Sequence, residues 1–324
     1  MNVVSSAIVS GADPAAGYVI VQIPESPAAP HMIDKIYYGR GDKTKVKLSD
    51  AEVLRLHQRR RIAEQDVLDL LNDEITNDPF EGEGQQSHLF LVAQPVSGRS
   101  DMLLEFTSGE NWNNRLFALI ERAYTPDLNA MLANFESNPD LRLDATTGYR
   151  RARGAARATR NLGEVGRAEW DFGLTGSEVL ALEDEKKLDA DAIELQVHED
   201  GGLRLYCSRF SALRTREQMI FDWVAVSLTR RFLAIVVAAA EEAGYVGNWA
   251  LAFGATRLRG RRAFNPEHQG SPARYSRDDY SQATATAWAE LNNAPGAITG
   301  RLVGSLLRSL GTERRGGYAP LLAD

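Results

Sequence analysis

Residues 192–210 read AIELQVHEDGGLRLYCSRF. Apolar and polar side chains alternate through 192–198 and again through 203–210, which is the period of strands. Between them Asp200-Gly201-Gly202 is a hairpin signal, because glycine supplies the positive φ that a tight turn between twisted strands requires. Residues 215–243 then run as one long helix, ended by Gly244. Two hairpin-joined strands followed by a helix predict an α+β body. Working outward, 249–256 alternates as another strand, 257–262 is basic, and 280–310 holds two helical stretches around Pro295. Upstream, 89–96 and 102–106 read as strands, 112–135 as one or two helices interrupted at Pro126, and 168–174 as a further strand.

The N-terminal part has a different texture. Residues 18–23 (YVIVQI) form a β-branched run bounded by Gly17 and Pro24, the pattern of a buried strand. Pro24, Pro27 and Pro30 then stiffen 24–34 into an extended loop. A second short strand follows at 35–38. Ser49 with Glu52 three residues on is a capping box that starts a helix reaching about Ile62. Residues 67–86 are acidic, carry no Lys or Arg, and end in a Gly/Glu/Gln stretch, so they read as a linker. The expected organisation is a small α/β module over 1–66, a linker over 67–86 and a larger α+β domain over 87–324.

Composition narrows the function classes. The 324 residues are 44% hydrophobic and 25% charged, near the globular average, which excludes a collagen-like or largely disordered chain. The net charge is −7, so any contact with a polyanion must come from a local basic patch. The single cysteine, Cys207, excludes an internal disulfide framework and points to a reducing compartment. The first twenty residues lack a basic segment ahead of an apolar one, and the longest apolar run, 232–240, is flanked by Arg230, Arg231, Glu241 and Glu242. A cytoplasmic protein with no membrane partner is expected.

Catalytic signatures are sparse. The five histidines (His31, His57, His88, His198, His268) are all more than twenty residues apart, so none forms a helix- or finger-spaced metal pair. Gly39-Arg40-Gly41-Asp42-Lys43-Thr44 does not have Walker A spacing, and no Gly-x-Ser-x-Gly elbow occurs. Asp184-Glu185-Lys186 fits half of a metal-dependent nuclease core, with Asp127 or Asp140 as its upstream acid; the competing reading is a solvated charged loop. No catalytic residue, metal ligand or cofactor is assigned, and a metal-dependent nuclease or other hydrolase in the second domain is the rival. A protein-interaction scaffold using the Arg-rich stretches around Arg150, Arg151 and Arg153 is a third reading.

The segment 35–61 is richer. Nine basic residues face three acids, for a net +6, and Tyr37 and Tyr38 lie among them. In an extended chain Lys43, Lys45 and Lys47 share one face and offer a row of donors to a phosphate backbone. The alternative is an edge strand protected by lysines.

These residues also carry a resemblance. Pro24, Ser26, Pro30, Tyr38, Arg40, Gly41, Thr44, Leu48 and Glu52 fall in the order of the C-terminal half of the AlbA-like domain shared with Schlafen proteins. The resemblance covers 20–52, and the family's N-terminal half, with its Glu-rich helix and Gly-Gly turn, would lie upstream of Met1. It implies nucleic-acid binding, in bacterial proteins described as DNA-binding or ATP-binding, and no catalytic residue is carried over. The candidate contacts to DNA or RNA are Tyr38, Arg40, Lys43, Thr44, Lys45, Lys47, Arg59 and Arg60. A half-module of this size should pack against the second domain, pair with another chain, whether a second copy or a partner, or be completed by upstream sequence.

Overall fold

The hairpin over 192–210 lies at the middle of the principal sheet. Gly201 adopts φ 88°, Gly202 N–H donates to Asp200 Oδ1 at 2.9 Å, and His198 N–H closes the turn on the Gly202 carbonyl at 2.8 Å. The computed structural model describes residues 4–10, 13–22, 26, 29–40, 44–80, 86–132, 142–159, 192–214, 216–264, 273–314 and 318–322. In chain order the first elements are β1 (Val4–Ser10), β2 (Asp13–Gln22), β3 (Met32–Ile33), β4 (Ile36–Arg40), β5 (Lys45–Lys47) and α1 (Asp50–Thr76). Next come β6 (Leu89–Pro95), α2 (Leu104–Ser108), α3 (Trp112–Arg122), α4 (Pro126–Leu132), β7 (Thr147–Arg151), β8 (Gly154–Ala158), β9 (Ile193–His198) and β10 (Leu203–Cys207). The rest are β11 (Ser211–Arg214), β12 (Glu217–Ile220), α5 (Asp222–Glu242), β13 (Asn248–Ala255), β14 (Arg262–Ala263), β15 (Tyr280–Ala287), α6 (Trp288–Asn293), α7 (Pro295–Ser309) and α8 (Ala319–Leu322).

Seven strands form one antiparallel sheet in the order β15-β13-β6-β10-β9-β8-β7. The period-two alternation of the strands sends side chains to two apolar layers. Leu89, Leu91 and Ala93 of β6 join α5 and α7 in the larger core, whereas Phe90 and Val92 meet Val67 and Leu71 of α1 on the opposite face. The fold is α+β, with the sheet between α1 and a layer of helices. α5 is buried around most of its circumference, as an apolar helix inside a core must be. It is the one described helix long and apolar enough to span a bilayer, and it is packed inside the protein. Its Arg231 is accommodated there by donating to the Ala123 carbonyl and Asn129 Oδ1, both at 2.7 Å, with the guanidinium 4.0 Å from the centre of the Tyr124 ring.

Several elements differ from the expectations. Helix α1 does not stop near Ile62 but runs to Thr76, so the first ten residues of the acidic stretch 67–86 are helix; Asp69 and Asp73 face water and Glu74 turns toward Arg204, while Val67 and Leu71, one turn apart, reach the sheet. Residues 102–106 are not a strand: Leu103 and Phe106, three apart, both enter the core from a short helical segment. The long helix begins at Asp222 rather than 215, because 217–220 pairs with β11 and, in parallel, with β14. Residues 280–287 are strand rather than helix; alternating Thr and Ala there pair with β13 along its whole length. The strand expected over 18–23 falls largely within β2, whose partner β1 lies in a stretch not assigned from sequence. The strand candidate 168–174 lies outside the described residues.

Candidate nucleic-acid interface

The capping box forms as its sequence requires. Ser49 Oγ accepts from Glu52 N–H, and Glu52 Oε2 accepts from Ser49 N–H at 2.8 Å. The backbone hydrogen bond from Ser49, then its side chain, hold the Glu52 carboxyl below the usual range. This cap fixes where α1 leaves the small sheet β3-β4-β5. Across that sheet Tyr38 pairs with Lys47, Gly39 with Val46 and Arg40 with Lys45, and Leu48 N–H donates to the Tyr37 carbonyl at 2.9 Å. Gly39 allows Leu48 to approach closely: a Cβ there would sit 2.5 Å from Leu48 Cδ2.

Tyr38, Arg40, Lys45 and Lys47 are thus brought onto two adjacent strands. Lys45 and Lys47 are exposed, with Lys45 Nζ 4.9 Å from the centre of the Tyr38 ring, a cation–π contact beside a half-buried aromatic face. Thr44 is exposed at the start of β5, and Lys43 lies outside the described residues. Arg59 and Arg60 are exposed on α1 but do not join this row. They lie about 14 Å further along the helix than Asp50 at 1.5 Å per residue, beside Ser26, Ala29 and Asn248.

The nuclease alternative gains no assembled site. Asp127 is exposed in the first turn of α4, while Asp140, Asp184 and Glu185 lie outside the described residues. Among the described residues no group of three His, Cys, Asp or Glu could hold a metal ion. A cleft of about 440 Å3 separates α4 from α5 and α6, floored by Leu128, Val237 and Leu291 and edged by Arg122, paired with Glu241. Of the rival basic patch, Arg150 lies 5.2 Å from the Trp112 ring and donates to the Ser108 carbonyl, and Arg151 pairs with Glu194; Arg153 is exposed.

What sequence reading missed is a buried polar seam on the α1 side of the sheet. Glu194 accepts from Tyr149 O–H, from Arg151 at 2.9 Å and from Gln196 at 3.0 Å. Burial pushes its carboxyl up to about 8, against the pull of Gln196 and with a smaller push from Glu74. His198 is driven down to about 4 by burial, then by the charge of Arg204, with Arg151 adding and Asp200 opposing. Arg204 donates to Gln94 and lies 3.6 Å from Glu74. Nearer the end of α1, Asp78 meets His88 Nδ1 at 2.5 Å and accepts from Tyr206 O–H at 3.0 Å. Burial raises the Asp78 carboxyl, but the His88 hydrogen bond and charge, with the Phe80 N–H and Tyr206 O–H, outweigh it and hold the group low. The available signal was the polar alternation Glu194, Gln196, His198 facing Arg204, Tyr206 across an otherwise apolar hairpin. These residues hold one another and join α1 to the sheet.

No protein-family model, curated protein or solved structure matches this chain.

Proposed function

We propose that this is a cytoplasmic nucleic-acid-binding protein that contacts the phosphate backbone through the β4–β5 hairpin, with Arg60 on α1 as a flanking contact, and that the α+β body serves sensing or assembly. The observation that carries this reading is the exposed pair Lys45 and Lys47 on one short strand, with Tyr38 and Arg40 on the strand hydrogen-bonded to it. Two ammonium groups at alternate positions of a strand point the same way and can meet successive phosphates, while a neighbouring aromatic ring can stack on a base. The rival patch is less free to do this, since two of its three arginines are engaged within the body. The AlbA-like resemblance of 20–52 accords with the same use.

A titration on short DNA and RNA, single- and double-stranded, tests it. About four phosphate contacts give a log-log salt slope near −3.6, roughly a hundredfold loss of affinity between about 50 and 200 mM salt. Replacing Lys43, Lys45 and Lys47 with Glu should weaken binding alike across sequences, because phosphate contacts position a protein without reading bases. Unchanged affinity in that variant, with loss on replacing Arg150, Arg151 and Arg153, would move the site to the body. No binding by the unmutated chain at low salt would end the reading.

A further inference from the structure

The outer face of α1 carries charges segregated by sign along the helix. At 100° per residue, Arg55, Gln58, Asp66, Asp69 and Asp73 fall within about 40° of Ile62, on the side away from Val67 and Leu71, which meet the sheet. All are exposed, and Ile62 itself is 57% exposed, with Leu54 on the flank at 59%. Along the axis this face is basic before Ile62 and acidic after it. Asp50 and Glu52 suit the positive end of the helix dipole, but the last turn carries Asp73 and no base, the arrangement the dipole disfavours. Within one copy the charge of Arg55 acts on Glu52, three residues back, and Asp69 accepts from Gln65 Nε2 at 2.7 Å. Leu54 and Ile62 thus stay exposed beside a row of charges segregated by sign along the helix.

We infer that a second copy of this chain docks here, the two α1 helices packing antiparallel about a two-fold axis at Ile62. An antiparallel pair centred on that residue sets position i against position 124 − i. Arg55 of each copy then meets Asp69 of the other, Arg59 flanks Asp66, and the Ile62 side chains meet at the axis. The contact is isologous, so every attraction occurs twice. A helix pair about 40 Å long gives an area at the low end for specific association. The dimer is therefore weak and steeply weakened by salt. This inference is independent of nucleic acid, and its test is run without any.

Sedimentation of the full chain at about 50 and 500 mM salt reads the dimer constant. Low salt should give a dimer and high salt a monomer. Arg55→Glu alone and Asp69→Arg alone should each weaken the dimer at least about tenfold, since each sets like charges opposite one another. The two reversals combined should restore it, an outcome that also shows the variants fold. Ile62→Cys should give a disulfide-linked dimer on oxidation where the unmutated chain does not, because Cys207 is buried. A monomer at both salt concentrations, a combined variant no tighter than the single ones, or failure of Ile62→Cys to cross-link would each overturn the inference. So would loss of nucleic-acid binding in Arg55→Glu with the dimer constant unchanged, which would hand this face to nucleic acid.

Discussion

Glu194 and His198 lie two turns of the pleat apart on β9 and titrate in opposite directions, so their effects on stability can be separated by pH. Glu194 binds its proton more tightly folded, near 8, than unfolded, near 4.5. The native state therefore holds more protons in that window, and its stability falls as pH rises through it. His198 works the other way: depressed to about 4 from 6.5, it contributes stability above pH 6.5 that is lost as pH falls. Between pH 6.5 and 8 only the Glu194 effect remains, at most about 2 kcal/mol over that span, and the Arg151 guanidinium at 2.9 Å limits it further. Glu194→Gln keeps the shape and the Tyr149 hydrogen bond but cannot ionise. Urea unfolding at pH 6.5 and 8 should show the unmutated chain losing stability relative to the variant by about 1–2 kcal/mol. Parallel behaviour of the two proteins would mean that Glu194 is ionised throughout and that Arg151, not burial, governs it.

At the scale of elements, α1 is where local pattern and tertiary packing part company. Its start was legible from Ser49 and Glu52, and the Lys45–Lys47 row from simple alternation, because both signals lie within a few residues. Its end was not, because the acids after Glu64 resemble a linker until Val67 and Leu71 are seen to reach the sheet. The seam around Glu194 was hidden for a different reason: Tyr149 is 45 residues from its partner, and pairing across strands leaves no local trace. Residues 280–287 misled in the same way, since Ala and Thr declare a strand only beside β13. Small residues on that sheet face let α1 come close; a Cβ on Gly254 would lie 2.9 Å from Leu71 Cδ1. Leu71→Ala should therefore cost about 2–5 kcal/mol, and Gly254→Ala, which forces Leu71 aside, about 1–3 kcal/mol. Because both act at one contact, their combination should cost clearly less than the two losses added, with Leu71→Ala making room for the new methyl. Strict additivity in urea unfolding would show that the helix does not seat on Gly254.

For the whole molecule, the division of labour follows from where apolar side chains are buried. The principal sheet and its helices hold nearly all of the core, whereas among the described side chains the first buried apolar one is Val67, Pro30 apart. Val21, Met32, Ile33, Val46, Leu54 and Ile62 are exposed, six of the nine large exposed hydrophobics in the described chain. Among the described side chains, it is α1 that ties the N-terminal region to the body, its second half anchored on β6, β13 and β15. A piece comprising 1–65 lacks both Val67 and Leu71, the anchors of α1 on the sheet, and is of marginal size for folding alone. It should show no cooperative thermal transition by circular dichroism as a monomer. A piece comprising 64–324 keeps both anchors and the whole sheet and should melt cooperatively, with a midpoint lowered by the helical turns it has lost. A sigmoidal melt of monomeric 1–65 would show that the basic module is a domain in its own right, and a non-cooperative melt of 64–324 would show that the body depends on it.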